Sequence, residues 1–265
     1  MARSTAPPSS PSRLSRLSTE RLSIRGPSGV LAGKLERPEG PVLGAALFLH
    51  AFTGDKDMLA VARLCRGLAA RGLAALRFDA TGLGESPGDF AATGFESWVS
   101  DALAAAEAMR LAVRAPSVVA GLSLGGAAAL SVAARLKTAR GAGVLNSPAS
   151  PAHLLTLLPG LDAVRRHGVA PVEVAGRRVR LGRGLLAELA AADPAAELSR
   201  SGKALLVLHA PEDDLVPFSE AERLVSGHGG PKAIVRLEGG DHLLTSRAVC
   251  ESAADALAAW VKSLG

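Results

Sequence analysis

Five runs of nearly uninterrupted apolar residues constrain this chain more than any other feature. They are residues 44–50 (GAALFLH), 73–79 (LAALRFD), 116–122 (PSVVAGL), 141–146 (GAGVLN) and 204–210 (ALLVLHA). A strand with one wet face alternates apolar and polar residues, whereas a strand that is apolar throughout is buried on both faces. Between the runs lie segments with helical spacing. In 57–71, Leu59, Val61, Ala62, Leu64, Cys65 and Leu68 recur before Gly72 stops the helix. Further helices are expected over 97–113, 125–138, 218–226 and 247–263, and a last strand over 232–237. Two short strands, 20–25 and 30–36, precede the series and are joined by a Gly-Pro turn. The alternation predicts an α/β chain with a mostly parallel sheet and helices on both of its faces.

Two stretches depart from the alternation. Residues 1–18 are rich in Ser, Pro and Arg with no apolar run, and read as a disordered arm ahead of a single domain over 19–265. Residues 148–202 are too long for an ordinary connection. They hold short helical pieces, a Gly-centred strand pair at 172–181 and a helix near 184–192, and read as a lid insertion over the C-terminal edge of the sheet. Six Arg in that insertion (Arg165, Arg166, Arg177, Arg178, Arg180, Arg183) outnumber Asp162 and Glu173, and are expected to form a solvated face.

The net charge of +5 argues little about partners once it is divided. Residues 1–25 carry five Arg and one Glu, which leaves 25 basic and 24 acidic residues elsewhere. No domain-wide basic surface for nucleic acid follows. The absence of Tyr and an aromatic content of 3% also disfavour base-stacking modules. The arm lacks the apolar core of a secretory signal, and no later segment suits a transmembrane helix. Cys65 and Cys250 stand far apart on apolar helical stretches, as buried thiols in a reducing, cytoplasmic setting would. No metal-ligand spacing and no dinucleotide fingerprint occur, so no cofactor is expected.

The chemistry concentrates at Gly121-Leu122-Ser123-Leu124-Gly125, followed by Gly126. The pattern Gly-x-Ser-x-Gly alone says little, and the chain contains a second copy, Gly84-Glu85-Ser86-Pro87-Gly88. That copy follows no strand and opens no helix, and Pro87 has no N–H to offer. Ser123 instead follows an apolar run containing Val118 and Val119 and opens a helix of small residues. A Ser on such a tight strand-to-helix turn is a nucleophile elbow, and the helix N-terminus favours developing negative charge. A hydroxyl needs a base, and the fold's chain order is Ser, then acid, then His. His153 and His167 lie in the insertion, His209 ends a strand, and His228 closes a helix. His242 sits in a loop just after the last strand and is the expected base. The acid lies among Glu212, Asp213 and Asp214, which elementary chemistry does not separate. The N–H of Leu124 is one candidate oxyanion donor, and the N–H of Phe52, in the loop after strand 44–50, is the other. His50 precedes the Ser and reads as a loop brace.

Together, HAFTGDKD (50–57), RFDATGLGES (77–86), GLSLGG (121–126), HAPEDDLVP (209–217) and GGDHLLT (239–245) make the chain resemble the α/β-hydrolase fold over residues 20–264. The likeness is closest to serine esterases with an HGFTG-type oxyanion loop, which include feruloyl and cinnamoyl esterases. Bacterial hydrolases found alone or fused to OsmC-like domains are closer still. The resemblance implies Asp213 as the acid, Phe52 as the second oxyanion donor, and a structural role for the loop from Asp79 to Ser86. It implies a cofactor-independent hydrolase acting on a small-molecule ester through an acyl-enzyme. Thioester, amide or acyl-transfer chemistry, or a non-catalytic binding role, are the alternatives on the same scaffold. Three departures stand out: Ala51 where relatives carry Gly or Cys, Leu122 where His is frequent, and an end just after the last helix, which leaves no OsmC-like domain expected. Oligomeric state is not legible.

Overall fold

The structure, a computed structural model, describes residues 17–174 and 176–265. The arm expected over 1–18 lies outside the described residues as far as residue 16. The first strand, β1 (Ser18–Gly26), begins at the arm's expected last residue, and β2 (Gly29–Arg37) returns antiparallel to it. The alternating series follows: β3 (Gly44–Leu49), α1 (Leu59–Ala70), β4 (Leu73–Phe78), α2 (Phe95–Ala112), β5 (Val118–Leu122), α3 (Leu124–Arg135) and β6 (Gly141–Leu145). Next come α4 (Leu154–Leu157), α5 (Leu161–His167), the hairpin β7 (Val169–Val174) and β8 (Arg177–Gly182), α6 (Arg183–Ala191) and α7 (Pro194–Ser201). The chain closes with β9 (Ala204–His209), α8 (Phe218–Gly227), β10 (Lys232–Arg236) and α9 (Arg247–Ser263).

Eight strands form one sheet in the order β1-β2-β4-β3-β5-β6-β9-β10. From β4 to β10 every pairing is parallel, and only β2 runs against its neighbours. The apolar runs explain this. In β3, Ala45, Leu47 and Leu49 enter the core beneath α2 and α3, while Ala46 and Phe48 enter the core beneath α1 and α9. The same period-two division sends Leu205 and Val207 of β9 one way and Leu206 and Leu208 the other. Burying a Leu or Val side chain contributes about 1.5–3 kcal/mol, so each two-sided strand is held from both faces.

Within 148–202, α7 packs along α3 and serves as the crossover helix between β6 and β9. Asp193 caps its start by accepting from Ala196 N–H at 3.1 Å. The β7–β8 hairpin buries Ala170, Val172 and Leu181 into the α2/α3 core. All six Arg noted in this stretch are exposed. The Glu188 carboxylate of α6 accepts from Glu96 N–H at 2.8 Å, which ties this segment to the N-terminus of α2. No helix among the described residues is long and apolar enough to cross a membrane.

Candidate active site

Four loops meet at the C-terminal ends of β3, β5, β9 and β10, where open α/β sheets characteristically bind ligands. Ser123 occupies the turn between β5 and α3 with φ 55° and ψ −126°, outside the usual regions for a side-chain-bearing residue. Close packing holds it there. A Cβ on Gly121 would lie 2.2 Å from Gly125 O, and one on Gly125 would lie 2.1 Å from His50 O. Glycine at 125 thus lets the start of α3 press onto the end of β3. Ser123 N–H donates to Leu145 O at 2.8 Å, fixing the turn to β6.

The Ser123 hydroxyl donates to His242 Nε2 at 3.0 Å, and His242 Nδ1–H donates to Asp213 Oδ2 at 2.8 Å. The other carboxylate oxygen, Asp213 Oδ1, accepts from Leu215 N–H and Val216 N–H, both at 2.9 Å. Burial alone would push the Asp213 carboxyl up. The bonds from His242 and from those backbone N–H groups outweigh it and hold the group below the ordinary carboxylate range. Asp214, one residue on, is exposed and makes no hydrogen bond among the described residues. Among the described residues, Glu212 accepts only from Gly239 N–H, at 3.3 Å.

The Phe52 and Leu124 N–H groups make no hydrogen bond among the described residues, and both residues line one recess, Leu124 directly following Ser123 in the chain. Two braces hold the loop that carries Phe52. His50 Nδ1–H donates to Ala51 O at 2.8 Å while its Nε2 accepts from Ala80 N–H at 3.3 Å. Farther along, Asp79 accepts from Lys56 N–H at 2.6 Å and from Lys56 Nζ at 2.8 Å. The second Gly-x-Ser-x-Gly copy is structural: the Ser86 hydroxyl donates to Asp79 O at 2.7 Å and accepts from Ala32 N–H at 3.0 Å.

Three features escaped the sequence reading. His209 donates Nε2–H to Val216 O at 2.8 Å, closing the loop that carries Asp213. Asn146 hydrogen-bonds to two of the site loops. Phe52, Phe90, Phe95 and Trp98, half of the chain's eight Phe and Trp, line the recess with Thr93, Gly94, Leu124 and Leu185. The recess is narrow, with room for about one water molecule.

Burial pushes His50 and His209 below the ordinary histidine value, and their bonds to backbone carbonyls recover only part of that. Both are therefore neutral in the fold at neutral pH, and the unfolded chain begins to protonate them at a higher pH, near about 6.5, than the fold does. The unfolded state then holds more protons, so stability rises with pH across that window. Each residue adds a slope of at most about 1.4 kcal/mol per pH unit between its folded and unfolded values. Urea melts from pH 8 to pH 5 should show the loss on the acid side, and His209→Gln should flatten part of it. A midpoint constant over that range would contradict the assignment.

A family model for serine aminopeptidases (Hydrolase_4, S33) matches residues 45–170. The esterase domain of a Rhodothermus marinus protein is 32% identical, with a TM-score of 0.77, covering 94% of this chain and 100% of that one. Est1E from Butyrivibrio proteoclasticus superposes with a TM-score of 0.75 at 17% identity, covering 92% and 98% of the two chains. XC6422 from Xanthomonas campestris, described as an α/β serine hydrolase without lid, gives a TM-score of 0.64 at 18% identity, covering 92% and 95%. No curated protein sequence matches significantly. The chain belongs to the α/β-hydrolase family of serine hydrolases.

Proposed function

We propose that the chain hydrolyses carboxylic esters of small molecules through an acyl-enzyme on Ser123. The observation that carries this reading is the hydrogen-bonded series Ser123–His242–Asp213, together with the Phe52 and Leu124 N–H groups, which have no hydrogen-bond partner among the described residues. His242 Nε2 takes the hydroxyl proton as Ser123 Oγ attacks the acyl carbon. The Asp213 carboxylate stabilises the imidazolium and keeps its ring oriented. Phe52 and Leu124 N–H groups hold the negative oxygen of the tetrahedral intermediate. The intermediate collapses as His242 returns the proton to the leaving alkoxide. Water then repeats the sequence, activated by the same imidazole, and releases the acid. No cofactor enters these steps.

The recess beside Phe52 and Leu124 suits the acyl group, because it is apolar and adjoins both oxyanion donors. The name of the matching family model supports amide hydrolysis as a second reading. An aminopeptidase needs an anion for the substrate's ammonium, and no carboxylate lines this recess among the described residues. The esterase names of structural neighbours favour the first reading.

The test is turnover of p-nitrophenyl esters from C2 to C16, with matched thioesters and aminoacyl anilides alongside. Short acyl esters are expected to lead, because Leu185 of α6 forms one wall of a recess that is already narrow. Leu185→Ala should move the optimum to longer chains. Two or three extra buried methylenes, at about 0.8 kcal/mol each, amount to a gain of tenfold or more in kcat/KM for those esters. An unmoved optimum would remove the recess from the acyl site. Anilide turnover exceeding ester turnover would install the peptidase reading.

A further inference from the structure

We infer that Asn146 is a positioning residue that holds the general base and its acid in register with Ser123. The inference rests on the catalytic reading above and deepens it. Asn146 follows β6, the strand between the one that leads to Ser123 and the one that leads to Asp213. Its backbone is left-handed, with φ 44°, a conformation that Asn tolerates better than other residues with a side chain. The side chain is fully buried.

Every hydrogen of its amide is used. Asn146 Nδ2 donates to Asp241 O at 2.9 Å and to His242 O at 3.0 Å. Asn146 Oδ1 accepts from Ala210 N–H at 2.8 Å, at the start of the turn that presents Asp213. Its own N–H donates to Leu208 O at 3.0 Å, and the carbonyl before it, Leu145 O, accepts from Ser123 N–H at 2.8 Å. One residue therefore joins the base loop to the acid loop and stands one peptide from the nucleophile. Other bonds hold the flanks of this loop, from Gly240 N–H to Leu237 O at 3.1 Å, from Thr245 N–H to Asp241 Oδ1 at 2.7 Å and from Arg63 to Thr245 O at 2.6 Å, but among the described residues Asn146 is the one partner of His242 O. A displacement of about 1 Å in a reacting group can cost a hundredfold in rate, so the amide's value lies in register more than in fold stability.

Two variants separate register from folding. Asn146→Gly keeps the left-handed backbone and deletes the amide. Asn146→Asp keeps the shape and the acceptor but sets a carboxylate oxygen against two carbonyls in place of two donors. Both should lower kcat about 10- to 100-fold while KM stays within about twofold. Both should slow fluorophosphonate labelling of Ser123 by the same factor, measured on protein shown to be folded by its thermal transition. A role in stability alone would lower the transition temperature and leave the rate per folded molecule untouched. Folded variants labelled at the parent rate would overturn the inference and leave the catalytic reading standing. A parent chain that is not labelled at Ser123 would overturn both.

Discussion

Ser123→Ala should abolish turnover of the best ester, with kcat lower by about a millionfold, the scale on which nucleophile deletions act in serine hydrolases. Removal of the hydroxyl leaves no atom to form the acyl-enzyme, so the remaining rate belongs to water held near two oxyanion donors. His242→Ala should fall to nearly the same floor, because an unassisted Ser hydroxyl is a weak nucleophile. The double variant should be no worse than either single one, since the two residues act as a unit and their losses do not add. Stability should hardly move. The positive φ at Ser123 is imposed by the approach of α3 to β3 through Gly125, and Ala meets the same backbone demand as Ser. Kinetics with matched thermal melts on all three variants test this. A multiplicative loss in the double variant would show that His242 and Ser123 work independently, and would break the mechanism.

Ser123 is legible in the sequence because what defines it is local. The strand, the turn and the helix are contiguous, and the glycines that permit the turn flank the Ser. The copy at Ser86 has the same five-residue pattern without that context, and its hydroxyl braces a loop. His242 is legible by position, as a loop His after the last strand. The two-sided strands were readable for a similar reason, since their apolar runs record burial on both faces. Other features depend on where distant segments meet. Phe52, Phe90, Phe95 and Trp98 converge on one recess, but nothing in their spacing says so. Asn146 looks like a polar residue at the end of an apolar run until β9 and the His242 loop supply its partners. The helix α7 falls inside a stretch that departs from the alternation, and only its packing along α3 restores it to the α/β series.

The choice between Asp213 and Asp214 lies beyond a residue count, and a pair of amide substitutions probes it with the same change of charge in each. Both changes remove one negative charge within the same turn. Asp213→Asn should lower kcat about ten-thousandfold at neutral pH, the effect of imposing the wrong imidazole tautomer. The backbone dictates that outcome. Leu215 N–H and Val216 N–H both point at Oδ1, so an Asn there must present its oxygen to them. Its NH2 then faces His242 Nδ1 and donates to it. The imidazole proton is driven onto Nε2, which can no longer accept the hydroxyl proton of Ser123. Geometry is kept and direction is reversed, so KM should change little. Asp214→Asn should leave kcat within about twofold, because that carboxylate is exposed and a solvated charge couples weakly to the site. Steady-state kinetics on the two variants decide the matter: equal losses would mean the site responds to the charge of the turn as a whole, and a larger loss at Asp214 would move the acid there.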